Sequence, residues 1–206
     1  MTAMADEPAF RVVGATTIAD AGFFRIEDLA VRGPDGEVHQ RYVVRHPGAV
    51  VVVPIEDDLQ HVLLVRQYRA AVDGELLEVP AGKRDVDGEP PDATAHRELE
   101  EEIGHRARTL VPLAEFFNTP GFCDEYTYLF AAVGLEPLAQ RNTQTAEEAV
   151  MQIERIALSD VPRLIAAREI VDAKSIIGLT LARAHLEHDG SCAGAHRTSP
   201  RSSGST

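Results

Sequence analysis

Four glutamates fall within five positions, Glu98, Glu100, Glu101 and Glu102, just after Gly82, Glu89 and Arg97. At 100° per residue, an α-helix gathers Glu98, Glu101 and Glu102 into a stripe roughly 100° wide. Glu98–Glu102 at i,i+4 and Glu98–Glu101 at i,i+3 are then like-charge neighbours, each pair costing about 0.2–0.5 kcal/mol. Arg97 can pair with Glu101 at i,i+4, whereas nothing local neutralises Glu98 or Glu102. Such a charge run suits a solvated helix face. It also suits a hard divalent cation, which turns the repulsion into attraction: Mg²⁺ typically takes one or two carboxylates plus substrate phosphates, at about 2.0–2.1 Å.

The elements that must position these acids can be read outward from them. Ala95, Leu99 and Ile103 make a narrow apolar stripe beside the carboxylates, so the helix can pack while holding them at the edge of the core. Gly82, Asp85, Asp87, Gly88, Pro90 and Pro91 form a turn-rich loop ahead of it. Upstream, Phe10–Ile18, Phe23–Val31 and Glu37–Arg45 alternate as antiparallel strands, with a turn at Gly33-Pro34-Asp35-Gly36. After His46-Pro47-Gly48, the valine run Ala49–Ile55 suits a strand buried on both faces. His61–Tyr68 and Leu76–Val79 follow as strands. Beyond the helix, Ala107–Phe117, with a proline-interrupted edge, Tyr126–Val133 and Met151–Ala157 read as strands, and Gln140–Ala149 as a polar loop. Ser159-Asp160 opens one helix and Asp172 or Ser175 a second, with Ile177, Leu181 and Ala184 as its apolar face. This order predicts an α+β sandwich. Residues 1–46 form N-terminal strands, 47–188 the main domain, and 189–206 a disordered Gly/Ser/Arg tail.

The 206-residue chain is 44% hydrophobic, long enough for one core of ordinary size. Its net charge of −13 argues against nucleic acid or an anionic membrane as partner. Two cysteines, Cys123 and Cys192, make no disulfide framework, and no basic leader or long apolar run occurs; a cytoplasmic protein is expected. The eight histidines show no ligand spacing on a shared face. Cys123 reads as a small packing residue.

The series Gly82…Glu89…Arg97-Glu98-Leu99-Glu100-Glu101-Glu102-Ile103-Gly104 resembles the signature of the Nudix hydrolases, G-x5-E-x7-R-E-U-x-E-E-x-G-U. Glu89 to Gly104 match at each fixed position. Six residues rather than five separate Gly82 from Glu89, and His105 stands where an apolar residue is usual. Further matches resemble the ADP-ribose pyrophosphatase subfamily. Gln67-Tyr68-Arg69 precedes Glu78-Val79-Pro80-Ala81-Gly82, Pro120 lies fifteen positions beyond the signature, and Glu147-Glu148 fall in a late loop.

The resemblance implies a Nudix-type α/β/α sandwich with a mixed sheet, preceded by a small N-terminal antiparallel sheet. It implies hydrolysis of the pyrophosphate bond of ADP-ribose to AMP and ribose 5-phosphate, by metal-activated water attack on phosphorus. The cofactor would be Mg²⁺, with Mn²⁺ as the alternative, in two or more ions. Glu98 and Glu102 would be direct ligands, Glu101 assisting, with the backbone carbonyl of Ala81. Glu148, ahead of Glu147, would activate the water. Arg69, Arg41 and Gly82 would contact substrate, and Arg66 ranks lower. Glu78 and Glu89 would be structural, the latter as a helix cap. Leu77 sits where relatives often carry an aromatic for base stacking; Phe23 or Phe24 could substitute, although core packing is the expected fate of each. A homodimer with exchanged N-terminal strands is expected. Another nucleoside diphosphate sugar, an oxidised nucleotide, or non-catalytic sensing of ADP-ribose are the competing readings.

Overall fold

The computed structural model describes residues 8–195. Among these residues ten strands make three sheets, accompanied by four α-helices. β1 (Arg11–Asp20), β2 (Arg25–Arg32) and β3 (Val38–Arg45) form an antiparallel meander at the N-terminus. It joins the body where Val44 N donates to Phe122 O at 2.7 Å and Asp124 N to Val44 O at 3.1 Å. The Arg45 guanidinium bridges Glu27 and Asp124 at 2.9 and 3.0 Å across the same seam.

The body is centred on β4 (Ala49–Pro54), whose six residues are all buried, as an apolar run covered on both faces requires. β4 lies parallel to β9 (Tyr126–Pro137) and antiparallel to the short β7 (Ala81–Lys83). β9 also pairs with β8 (His105–Phe117), where the ladder shifts register between Pro112 and Ala114 because proline cannot donate to it. This four-stranded sheet is therefore mixed. β5 (His61–Arg69) forms the centre of a third sheet between β6 (Gly74–Glu78) and β10 (Gln152–Ala157).

Side-chain alternation along β4 divides the core. Val51 and Val53 pack with Leu164 of α3 (Val161–Ala166) and Leu179 of α4 (Ala173–Ala195). Val50 and Val52 pack with Ala95 of α1 (Pro91–Glu98) and with Leu99 and Ile103 just after it. Helices thus cover both faces of β4, and the α+β sandwich with its small preceding sheet is the observed fold.

Four local features differ from expectation. The acidic helix is not α-helical throughout: Leu99–Ile103 widens into a π-helical turn, a form frequent at functional sites. It closes on Gly104, left-handed at φ 66°, where an added Cβ would lie 2.8 Å from the Arg141 side chain. The 140–149 loop contains the short helix α2 (Ala146–Val150), nucleated by a capping box between Thr145 and Glu148. Glu89 does not cap α1. Its carboxylate accepts from Thr94 Oγ1 at 2.8 Å and from Arg97, while Pro91 at the first helical position has no N–H to satisfy. α4 continues seven residues past His188, to Ala195, into the segment expected as a tail. The remainder of that tail, 196–206, lies outside the described residues, as do residues 1–7.

Candidate active site

The segment leaving β6 lays out the site in sequence order. At Glu78, a carboxylate only 1% exposed, Arg69 docks two-pronged, Nε on Oε1 at 2.9 Å and Nη2 on Oε2 at 2.7 Å. At Ala81, the backbone N–H donates to Glu102 Oε2 at 3.1 Å. At Gly82, an added Cβ would sit 1.8 Å from the Glu98 carboxyl carbon, so only glycine lets the acidic helix approach this closely. At Lys83, the ammonium stands 4.5 Å from the centre of the Phe23 ring.

Of these, Arg69, Ala81, Gly82, Lys83 and Phe23 border one open cleft of about 570 Å³, with Glu78 behind Arg69. Glu98, Glu101 and Glu102 line it although each is at most 7% exposed. Burial pushes the Glu98 carboxyl up to about 7. It pushes Glu102 well above the usual carboxylate range, with the neighbouring Glu98 charge adding to the effect. Glu101 rises for the same reason, although Arg97 opposes it. The expectation that nothing local neutralises Glu98 is corrected here. Arg97 Nη1 lies 2.7 Å from Glu98 Oε1 and 3.0 Å from Glu101 Oε2, leaving Glu102 as the acid without a cationic contact. Glu100 turns outward to Arg106 at 2.7 Å.

Buried carboxylates crowded in this way suit a divalent cation. Burial and the neighbouring carboxylate charges raise their basicity, and they present hard oxygens to one space. Seven acidic side chains border the cleft against four basic ones, Arg69, Lys83, Arg97 and Lys174. A diphosphate entering this field needs metal charge in addition to those cations.

α2 brings Glu147 and Glu148 to the cleft rim. Glu148 is held in place: its carboxylate accepts from Gln144 N at 2.5 Å, Thr145 Oγ1 at 2.8 Å and Thr145 N at 3.3 Å. Burial works against ionisation there, but these hydrogen bonds and the nearby Arg141 charge prevail and keep the carboxyl below its usual range. The Glu147 side chain makes no hydrogen bond or ion pair among the described residues.

Of the residues expected here, Glu98, Glu101, Glu102, Ala81, Gly82, Arg69, Glu147 and Glu148 all border the cleft. Arg41 does not; it is exposed on β3, its Nη1 donating to the Gln40 carbonyl at 2.7 Å. Arg66 is turned to Glu154. Leu77 is in the core, whereas Phe23, expected there, is 45% exposed and lines the cleft. Cys123 lies in the turn beside β3, its thiol pushed up by burial, as a packing role requires. Lys174 and His46 also border the cleft and escaped sequence reasoning, as did a site role for Gln67, which was noted only as part of the Gln67-Tyr68-Arg69 match. Period-two alternation could have found Gln67, two residues before Arg69 on one strand. No local signal marks Lys174, which arrives through the docking of α4. A separate acidic cluster, Glu56, Asp58 and His61, lies beyond the opposite end of β4, and Arg155 neutralises it at 2.7 and 2.9 Å.

Residues 45–176 match the family model described as the NUDIX domain. The chain is 36% identical over 150 residues to the ADP-ribose pyrophosphatase of Bacillus subtilis (strain 168), covering 73% of this chain and 78% of that one. It is 35% identical over 173 residues to the ADP-ribose pyrophosphatase of Mycobacterium tuberculosis (strain ATCC 25618 / H37Rv), covering 84% and 83%. In fold it superposes on a crystal structure of an ADP compounds hydrolase with a TM-score of 0.77 at 24% identity, covering 91% of this chain and 99% of the other. The carboxylates on their glycine-edged helix and the match across most of the chain agree, and the protein belongs to the Nudix hydrolase family.

Proposed function

We propose that this Nudix pyrophosphohydrolase cleaves the diphosphate of ADP-ribose, giving AMP and ribose 5-phosphate. The observation that carries the reading is the buried trio Glu98, Glu101 and Glu102, pressed against Ala81 and Gly82 and facing Arg69 across one cleft. Glu98 and Glu102, with Glu101 assisting and the Ala81 carbonyl, would hold Mg²⁺, or Mn²⁺ in its place, as two or more ions. Bound there, the metal supplies charge neutralisation of the diphosphate and a more acidic water.

The chain's own residues do the rest. Arg69 keeps Nη1 available for a phosphate oxygen while Glu78 fixes Nε and Nη2, so the guanidinium is aimed before substrate arrives. Gly82, which lets Glu98 approach and itself borders the cleft, would contact substrate through its backbone. Glu148, kept ionised by its hydrogen bonds, takes the proton of the attacking water, with Glu147 the second candidate. The water oxygen bonds to phosphorus, the bridging P–O bond breaks, and the bridging oxygen leaves with the other phosphate. Phe23 with Lys83 offers the base a stacking face.

Homodimerisation is part of the reading. β1 is exposed at all ten positions, with Val12 and Ile18 open to solvent, as suits a strand that pairs with a second copy. Arg41, outside its own cleft, would then serve the partner's. No helix among the described residues is long and apolar enough to cross a membrane; we assign the protein to the cytoplasm.

Hydrolysis of ADP-ribose, GDP-mannose, NADH and 8-oxo-guanine nucleotides with Mg²⁺ tests the reading. ADP-ribose should have the highest kcat/KM, and Glu102→Gln should lose at least about 10²-fold. Glu148→Gln isolates the base, because glutamine also completes a capping box and so preserves α2. ADP-ribose binding without turnover by the parent would instead support a sensor.

A further inference from the structure

Among the described residues that line the cleft, one buried side-chain polar group has no hydrogen-bond partner. Gln67 is 7% exposed and lines the cleft, and its Nε2 is buried without a hydrogen-bond partner. Buried polar groups in folded proteins are overwhelmingly paired, because an unmet donor loses its water and gains nothing in return. Gln67 sits near the end of β5, paired with Leu76 on β6 and one residue past the last β10 pair at Arg66, where an apolar side chain would pack without that penalty. Alternation along β5 puts it on the same face as Arg69. Below it on that face, Leu63 and Val65 belong to the core. Gln67 is where that face changes from core to cleft.

Its place along the cleft indicates what it meets. From Glu78 to Lys83 the chain passes Arg69, then Glu102, then Glu98, then Phe23. The five steps between these six residues span at most about 17 Å of extended chain. A nucleoside diphosphate sugar lying along this path, with its base at Phe23 and its diphosphate at the carboxylates, ends at the Arg69 side. There Gln67 provides a neutral amide. A phosphate oxygen is better matched by Arg69 or Lys174; a neutral amide matches a neutral hydroxyl.

We propose that Gln67 donates through Nε2 to a hydroxyl of the terminal sugar, so that it determines specificity for a polyol on the far side of the diphosphate. This rests on the nucleoside diphosphate sugar reading above. Substrate completes the hydrogen bond that the free protein leaves open, and an analogue lacking the hydroxyl leaves the amide unmet.

The test pairs ADP-ribose with the n-pentyl ester of ADP, which keeps base and diphosphate but has no terminal hydroxyls. The quantity read is the ratio of their kcat/KM values in the parent and in Gln67→Leu. The ratio should fall at least about tenfold in Gln67→Leu, with a Tm equal to or above that of the parent, since the substitution removes an unpartnered buried amide. An unchanged ratio overturns the inference. So does a lowered Tm with both substrates losing rate equally, which is the signature of a structural role. Should the parent cleave neither compound, the hydrolase reading fails separately. Gln67 is then judged by the Tm rise that ADP-ribose gives in each protein: a smaller rise in Gln67→Leu supports it and equal rises overturn it.

Discussion

At the scale of the residue, the site stores unfavourable electrostatics that a ligand relieves. Glu98 titrates at about 7 in the folded, metal-free protein because burial disfavours its charge, and Glu102 is raised further for the same reason with Glu98 beside it. A carboxyl whose folded pKa exceeds its unfolded value of 4.5 stabilises the fold fully below that value, and the contribution is lost as pH rises through about 7. For Glu98 the shift corresponds to about 3 kcal/mol at most, and Glu102 acts in the same direction. In EDTA, Tm should therefore fall between pH 5 and pH 8. Saturating Mg²⁺, which binds the ionised form, should raise Tm more at pH 8 than at pH 5, by several degrees at about 2–4 °C per kcal/mol. Equal Mg²⁺-induced shifts at both pH values would separate these carboxylates from the metal. The trio itself was legible in the sequence, because its spacing and the Gly82-to-Gly104 pattern are local. The Arg97–Glu98 contact was not, because neighbours one residue apart on a helix do not ordinarily face each other. The unpartnered Gln67 amide was not, because it depends on how distant segments pack.

At the scale of the element, the carboxylate helix and the glutamate loop are one mechanical unit. The loop crosses the end of the acidic helix: Leu138 N donates to Gly104 O at 2.8 Å and Asn142 N to Glu100 O at 3.3 Å. Arg141 then packs over Gly104 and reaches into α2, its Nη1 donating to Met151 O at 3.1 Å and its Nη2 to Glu148 O. A guanidinium on the last carbonyls of a short helix satisfies groups that the helix cannot. The signature's glycine thus has two tasks, a left-handed cap and room for Arg141. Arg141→Ala should lower kcat by about tenfold or more through misplacement of the water-activating glutamate. Mg²⁺ affinity should be unchanged, and amide exchange should quicken only in 144–151. A parallel loss of Mg²⁺ affinity would mean that Arg141 supports the whole site instead. Strands with clean alternation and the buried valine run were legible in outline. α2 was not, because five residues carry too little periodicity; the T-x-x-E spacing of Thr145 and Glu148 was its one local signal. The π-turn was equally hidden, since Leu99–Ile103 has the spacing of an ordinary helix.

At the scale of the whole molecule, the N-terminal meander is the part whose position its own chain explains least. Its seam with the body is polar, through Arg45, Glu27 and Asp124, while Phe10, Val12, Val13 and Ile18 remain exposed on or beside its edge strand. An apolar edge of this length invites pairing with another chain. If the partner is a second copy, closed twofold symmetry makes each meander serve the other's body. The exposed Arg41 then lies at a neighbour's cleft, which explains why it does not border its own. This is testable by complementation. Homodimers of Glu102→Gln have two clefts without a metal ligand, and homodimers of Arg41→Ala have two clefts without the arginine. In a mixed dimer the Arg41→Ala subunit keeps an intact carboxylate set and receives Arg41 from its partner, so one of its two clefts is complete. Random reassortment of equal amounts should therefore raise ADP-ribose hydrolysis from near the level of either variant alone to about a quarter of the parent value. If Arg41 served its own cleft, or if the chain were monomeric by light scattering, mixing would give only the average of the two variants.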